Sequence, residues 1–206
     1  CTELKEKIAG LYGVKRENIY LSNGSDDILY FAFMAFGGEG GPIRFPEISY
    51  GFYQVFADLL HIDCLRIPLR EDFTIDCQDY CGGDGMVVIA NPNAPTGLAL
   101  TREEIRPILD SNRNRVVLID EAYIDFGGQS CVPLTAEYDN LLVVQTFSKS
   151  RSMAGARLGF AIADKGLIED LNRIKYSTNP YNINRLTMAA AQAAVEENEY
   201  YIEKCR

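Results

Sequence analysis

The chain has a single histidine among its 206 residues, and its 20 lysines and arginines are outnumbered by 29 aspartates and glutamates. Each shortage narrows the field. With His61 alone, and with Cys1, Cys64, Cys77, Cys81, Cys131 and Cys205 forming no Cys-x-x-Cys pair, little is available for a zinc site, and the cysteines read as reduced thiols. A formal net charge of −9 argues against a nucleic-acid face, which needs clustered cations. No apolar run approaches the ~20 residues needed to cross a bilayer. The N-terminus also lacks the basic, apolar and small-residue series of a secretory signal, so a cytoplasmic protein is expected. Repeats and low-complexity segments are absent. What remains is 47% hydrophobic and 24% charged, the balance of one α/β domain that buries roughly 70% of its unfolded surface.

Along the chain, Thr2 to Leu11 predicts an amphipathic helix, Ile19 to Leu21 a short strand and Asp26 to Phe36 a helix, followed by a glycine-rich break over 37–41. The stretch from Pro46 to Leu60 turns helical after Phe52, and a strand is expected near Ile62 to Ile67. Thr101-Arg-Glu-Glu104 has the form of a capping box, although Pro107 should bend or delay its helix. The carboxyl end predicts a helix over 165–175, a polar loop, and one long helix from Asn184 onward. Lys165 and Lys175 read as solvated helix surface. Strand–helix alternation favours a mostly parallel sheet. The chain starts at Cys1 inside a helical pattern and stops within the charged run 196–206, so both ends read as cut.

Three apolar runs deliver polar residues to strand ends, where open α/β sheets place their ligands. Leu141 to Val144 leads to Ser148 and Lys149, Val116 to Ile119 leads to Asp120-Glu121-Ala122-Tyr123, and Met86 to Ala90 leads to Asn91-Pro-Asn-Ala-Pro-Thr-Gly97. A lysine amine beside an anion site points to aldehyde chemistry. On the residues alone, each has an ordinary alternative: Lys149 in a basic solvated loop, Asp120 and Ser25 as helix caps, Tyr50 and Tyr123 as core aromatics, Arg157 on the surface.

Ser22-Asn-Gly-Ser-Asp26, Pro46-Glu-Ile-Ser-Tyr50, Asn91 to Gly97, Asp120 to Tyr123, Ser148-Lys149, Gly155-Ala-Arg157 and Pro180-Tyr-Asn-Ile-Asn184 follow one another in this order. So ordered, over nearly the whole chain, they resemble the signature blocks of fold-type I pyridoxal-phosphate aminotransferases, and among them the histidinol-phosphate aminotransferases. The resemblance implies an α/β three-layer sandwich with a mostly parallel mixed sheet. Residues 1–206 would be its large, cofactor-binding domain, with the family's N-terminal arm and C-terminal small domain lying outside.

The resemblance also implies roles. Lys149 would hold the pyridoxal 5′-phosphate aldehyde and shuttle the substrate α-proton, and Asp120 would keep the ring nitrogen protonated. Tyr123 would reach the 3′ oxygen and Tyr50 would stack on the ring. Ser25 and Asp26 at a helix start, with Ser148 and Arg157, would cradle the phosphate. The family's asparagine before Pro-Thr-Gly is Ala94 here, leaving Asn93 or Asn91 to substitute, and Tyr181 would help form the substrate side across a dimer interface. The implied reaction passes an amino group between glutamate and imidazole-acetol phosphate in histidine biosynthesis, in a homodimer, and the piece 1–206 alone would be poorly active. Aromatic or aspartate aminotransferases, a phosphothreonine decarboxylase and a non-catalytic cofactor-sensing module of a transcription regulator are the alternatives.

Overall fold

Seven short strands share one sheet: β1 (Ile19–Ser22), β2 (Ile43–Pro46), β3 (Cys64–Ile67), β4 (Val87–Ala90), β5 (Val117–Asp120), β6 (Leu141–Thr146) and β7 (Gly159–Ala163). The computed structural model describes residues 1–38 and 40–205; Glu39, within the expected break, and Arg206, at the end of the expected last helix, lie outside the described residues. The strand order is β1-β7-β6-β5-β4-β2-β3. Only β7 runs against the others, pairing antiparallel with β1 and β6.

Helices cover both faces. Val87, Ile89, Val117, Ile119, Leu141 and Val143 pack toward α1 (Thr2–Tyr12), α4 (Arg102–Ser111) and α6 (Arg185–Glu196). The alternate residues Val88, Leu118, Leu142 and Val144 pack toward α2 (Ser25–Phe36), α3 (Phe52–Leu60) and α5 (Lys165–Thr178). Strand side chains alternate between faces, so strands apolar at every position are the ones covered twice. This is the expected three-layer α/β sandwich.

Four details depart from the sequence reading. Strand β2 was not expected: Arg44 interrupts a four-residue run. Its buried guanidinium is reconciled with the interior by donating to Asn112 Oδ1 at 2.8 Å and to the carbonyls of Tyr80 and Gly85, both at 3.3 Å. The long C-terminal helix is two, α6 ending at Glu196 and α7 spanning Asn198–Lys204. Pro107 does not delay α4, which starts at Arg102 behind the Thr101–Glu104 capping box. It sits on the exposed side, where water can satisfy the carbonyl freed at Glu103. Lys175 is not solvated. It is 8% exposed, its Nζ donates to the Leu21 carbonyl at 2.9 Å and lies 5.5 Å from the Tyr20 ring centre, and burial holds its pKa below the usual lysine value.

The strand ends set up a rim. Ala90 pairs with Asp120 across β4 and β5, and β6 runs two residues further to Thr146, which pairs with Gly159, itself opposite Ser22. The loops that leave this row carry the polar residues singled out above.

Candidate active site

Asp120 ends β5 with its side chain 5% exposed. Oδ2 accepts from the Tyr53 hydroxyl at 2.8 Å and Oδ1 from the Ala122 N–H at 3.2 Å. Burial pushes its pKa up to about 6, against the opposing pull of those two hydrogen bonds and of the Lys149 charge. A carboxylate that remains costly to ionise despite two donors is short of a cation.

Lys149 stands on the same cavity, in the loop after β6. The loop starts with the Ser148 N–H on Thr146 Oγ1 at 3.1 Å and closes with the Met153 N–H on the Phe147 carbonyl at 3.0 Å. Lys149 Nζ lies 5.3 Å from the centre of the Tyr123 ring. Tyr123 follows Asp120 by three residues and lines the cavity as well.

The opposite end gathers backbone N–H groups and a guanidinium. Gly24 is the N-cap of α2 with φ +88°, so Ser25 and Asp26 begin the helix, where first-turn N–H groups have no intrahelical acceptor. Arg157, in the left-handed region at φ 53°, lays its guanidinium over Gly24 so closely that a Cβ there would meet Nη2 at 2.6 Å. Asp26 divides its carboxylate between Arg157 Nη2 at 3.4 Å and the Tyr50 hydroxyl at 2.9 Å. Gly159 permits the whole arrangement: a Cβ would come within 2.5 Å of the Gly24 and Ser25 backbone. Ser25, Ser148 and Arg157 thus meet Lys149, Asp120, Tyr123 and Tyr50 on one cavity.

The model for aminotransferase class I and II matches residues 1–205. The chain belongs to that family. It is 52% identical over 201 residues to a histidinol-phosphate aminotransferase of Brachyspira hyodysenteriae, covering 97% of this chain and 57% of the relative. It therefore spans a little over half the length of the curated relatives it matches. Among solved structures, the histidinol-phosphate aminotransferase of Clostridium acetobutylicum superposes with a TM-score of 0.86 at 27% identity, over 98% of this chain and 61% of that one. The Sinorhizobium meliloti histidinol-phosphate aminotransferase, solved in complex with pyridoxal-5′-phosphate, gives 0.85 at 22% identity over 98% and 57%, a likeness of fold.

Within this aminotransferase fold, two expected site residues stand apart from the cavity. Asn93 is buried and fully engaged: Oδ1 accepts from Ser49 Oγ at 2.8 Å while Nδ2 donates to the Ile48 carbonyl at 2.9 Å and to Thr96 Oγ1 at 3.1 Å. Asn91 likewise pins Leu100 through both its amide oxygen and nitrogen. Ala94 faces the cavity, and neither asparagine lines it. Both prolines of this loop follow cis peptide bonds. Tyr181, on the loop between α5 and α6, is 93% exposed and is not brought to the cavity of its own chain.

Two polar groups were missed. Tyr53, on the first turn of α3, is fully buried against Asp120 and meets the ring of Tyr50, which precedes the helix, edge-on with ring centres 5.6 Å apart; its place three residues after Tyr50 was the available signal. Glu121 is buried beneath the rim, where Ser130 Oγ (2.7 Å), Gln145 Nε2 (2.8 Å) and the Cys131 N–H (2.5 Å) donate to it, and burial raises its pKa to about 7. No helix is long and apolar enough to cross a membrane, and no group of three or more metal-ligating side chains occurs, among the described residues.

Proposed function

We propose that this chain is the cofactor-carrying large domain of a pyridoxal-5′-phosphate-dependent aminotransferase acting on histidinol phosphate, with 2-oxoglutarate and glutamate as the other pair. The observation that carries the reading is one cavity holding a free amine, a cation-seeking buried carboxylate and an anion cradle: Lys149, Asp120, and Ser25 with Ser148 and Arg157. These residues fit the cofactor, which when bound supplies an aldehyde and a protonated ring that draws electrons from the substrate α-carbon.

Each side chain has a definite task. Asp120 holds a proton at the ring nitrogen: an ion pair at ~4 Å and an effective dielectric near ~20 is worth about 4 kcal/mol, more than the cost of keeping this carboxylate ionised. Lys149 Nζ would hold the cofactor through its aldehyde and would be the base that takes up the substrate α-proton. Arg157 offers a planar fork, and the first turn of α2 offers N–H groups and a positive dipole end, to the phosphate. Tyr123, whose ring centre lies 5.3 Å from the amine, lines the same cavity and would reach the cofactor's 3′ oxygen. Tyr50, held by Asp26, presents a flat ring to the cavity.

The substrate choice is supported by the histidinol-phosphate names among relatives near 50% identity. A cytoplasmic homodimer is proposed with it, Tyr181 being a side chain whose exposure leaves it available to a second copy. A transamination assay of the protein with histidinol phosphate, tyrosine, phenylalanine and aspartate as donors tests the reading. Preferential turnover of histidinol phosphate is expected, and preference for an unphosphorylated donor would refute the substrate.

A further inference from the structure

Lys149 Nζ has no hydrogen-bond acceptor among the described residues, so no side-chain bond fixes the amine and the backbone of its loop sets the point from which it reaches the cavity. That loop is gripped just past the lysine. The Ser152 N–H returns to the Lys149 carbonyl at 3.0 Å with Ser152 at φ 53°, and Ser150 Oγ is bound by Asp125, in the short turn Ile124–Phe126.

The stronger grip is Arg151, which is 3% exposed. Its hydrogen-bond partners are neutral: Nη1 donates to the Ala194 carbonyl at 3.2 Å and Nη2 to Asn198 Oδ1 at 2.7 Å. The guanidinium lies 5.4 Å from the Phe147 ring centre and 5.8 Å from that of Tyr201. Ala194 is in the last turn of α6 and Asn198 is the first residue of α7, so the cation sits at the break between them, at the negative end of α6. Burying a charge is costly unless such partners offset it. An apolar side chain would fill the space more simply, whereas the fork ties two helices to one loop in a single geometry.

We infer that Arg151 is a positioning residue for Lys149: it locks the lysine-bearing loop onto the α6–α7 junction, making the amine's place at the cavity depend on those helices. The inference rests on Lys149 being the amine that captures the cofactor aldehyde. It is tested by incubating the protein with pyridoxal phosphate, reducing with borohydride at timed intervals and mapping the labelled peptide, which reads the rate of capture at Lys149. Affinity for pyridoxamine phosphate, which has no aldehyde, reads the rest of the cavity.

Arg151→Ala and Asn198→Ala are each expected to slow capture at least tenfold while leaving pyridoxamine phosphate affinity within about twofold. Arg151→Lys, which keeps the charge and loses the fork, should fall between. Asn198→Ala carries the comparison if Arg151→Ala does not fold. Capture at the original rate in a folded variant overturns the inference, and so does a parallel loss of capture and pyridoxamine phosphate affinity, which marks general structural damage. No label at Lys149 in the unaltered protein would instead refute the proposed function itself.

Discussion

Asp120→Asn should make the cofactor-free protein more stable at pH 8 while removing its capacity to hold a protonated ring. The carboxyl's pKa is about 6 in the fold against an ordinary 3.8. Below pH ~4 both folded and unfolded chains carry the proton and no penalty exists. Between pH 4 and 6 the unfolded chain releases it first, so stability falls as pH rises, and above pH 6 the loss is complete. At ~1.4 kcal/mol per pH unit it comes to about 3 kcal/mol. An asparagine avoids this cost, and for a domain of this size 3 kcal/mol corresponds to roughly 6–12 °C in Tm. Thermal unfolding of both forms at pH 4 and pH 8 is the assay. The difference should be near zero at the lower pH and favour the variant at the higher. Addition of pyridoxal phosphate should then reverse the order, because only the carboxylate gains the ~4 kcal/mol ion pair. Equal differences at both pH values, or a variant less stable at pH 8, would refute the account of Asp120 as a carboxylate held ready for a cation.

Tyr53→Phe removes the hydroxyl that donates to Asp120 Oδ2; the Asp120 pKa should rise further above 6 and cofactor affinity should fall by about 1–3 kcal/mol, measured by titration of the cofactor's absorbance. Arg157→Ala should cost pyridoxal phosphate about 1.5–3 kcal/mol of binding through lost charge-assisted hydrogen bonds while leaving the affinity for unphosphorylated pyridoxal nearly unchanged, so the ratio of the two dissociation constants is the readout. Gly159→Ala drives a Cβ to within 2.5 Å of the Gly24 and Ser25 backbone and should destabilise by about 1–3 kcal/mol, as overpacking does, with phosphate affinity lost alongside; a denaturant midpoint equal to that of the original chain would show that the loop yields freely.

The layers and the rim were legible because the central twice-covered strands carry unbroken apolar runs, so Val87–Ala90, Val117–Ile119 and Leu141–Val144 announce themselves and the polar residues at their ends follow. The residues that escaped share a different physics. Arg44, Lys175, Tyr53 and Glu121 are polar groups whose burial is offset by partners distant in sequence: Asn112, the Leu21 carbonyl, Asp120 and Gln145. Local pattern treats such a residue as solvated or simply as core, since nothing nearby in the chain records the partner. Asn93 shows the converse, a side chain with the right chemistry beside the right motif whose donors and acceptor are consumed holding its own loop to Ser49 and Ile48. Motif order locates the strand ends that carry Lys149 and Asp120. How strongly the carboxylate seeks a cation, and how firmly the lysine is held, is set by Tyr53 and Arg151, which lie outside the polar rim pattern, so substitutions at those two positions separate the chemistry from the scaffold that tunes it.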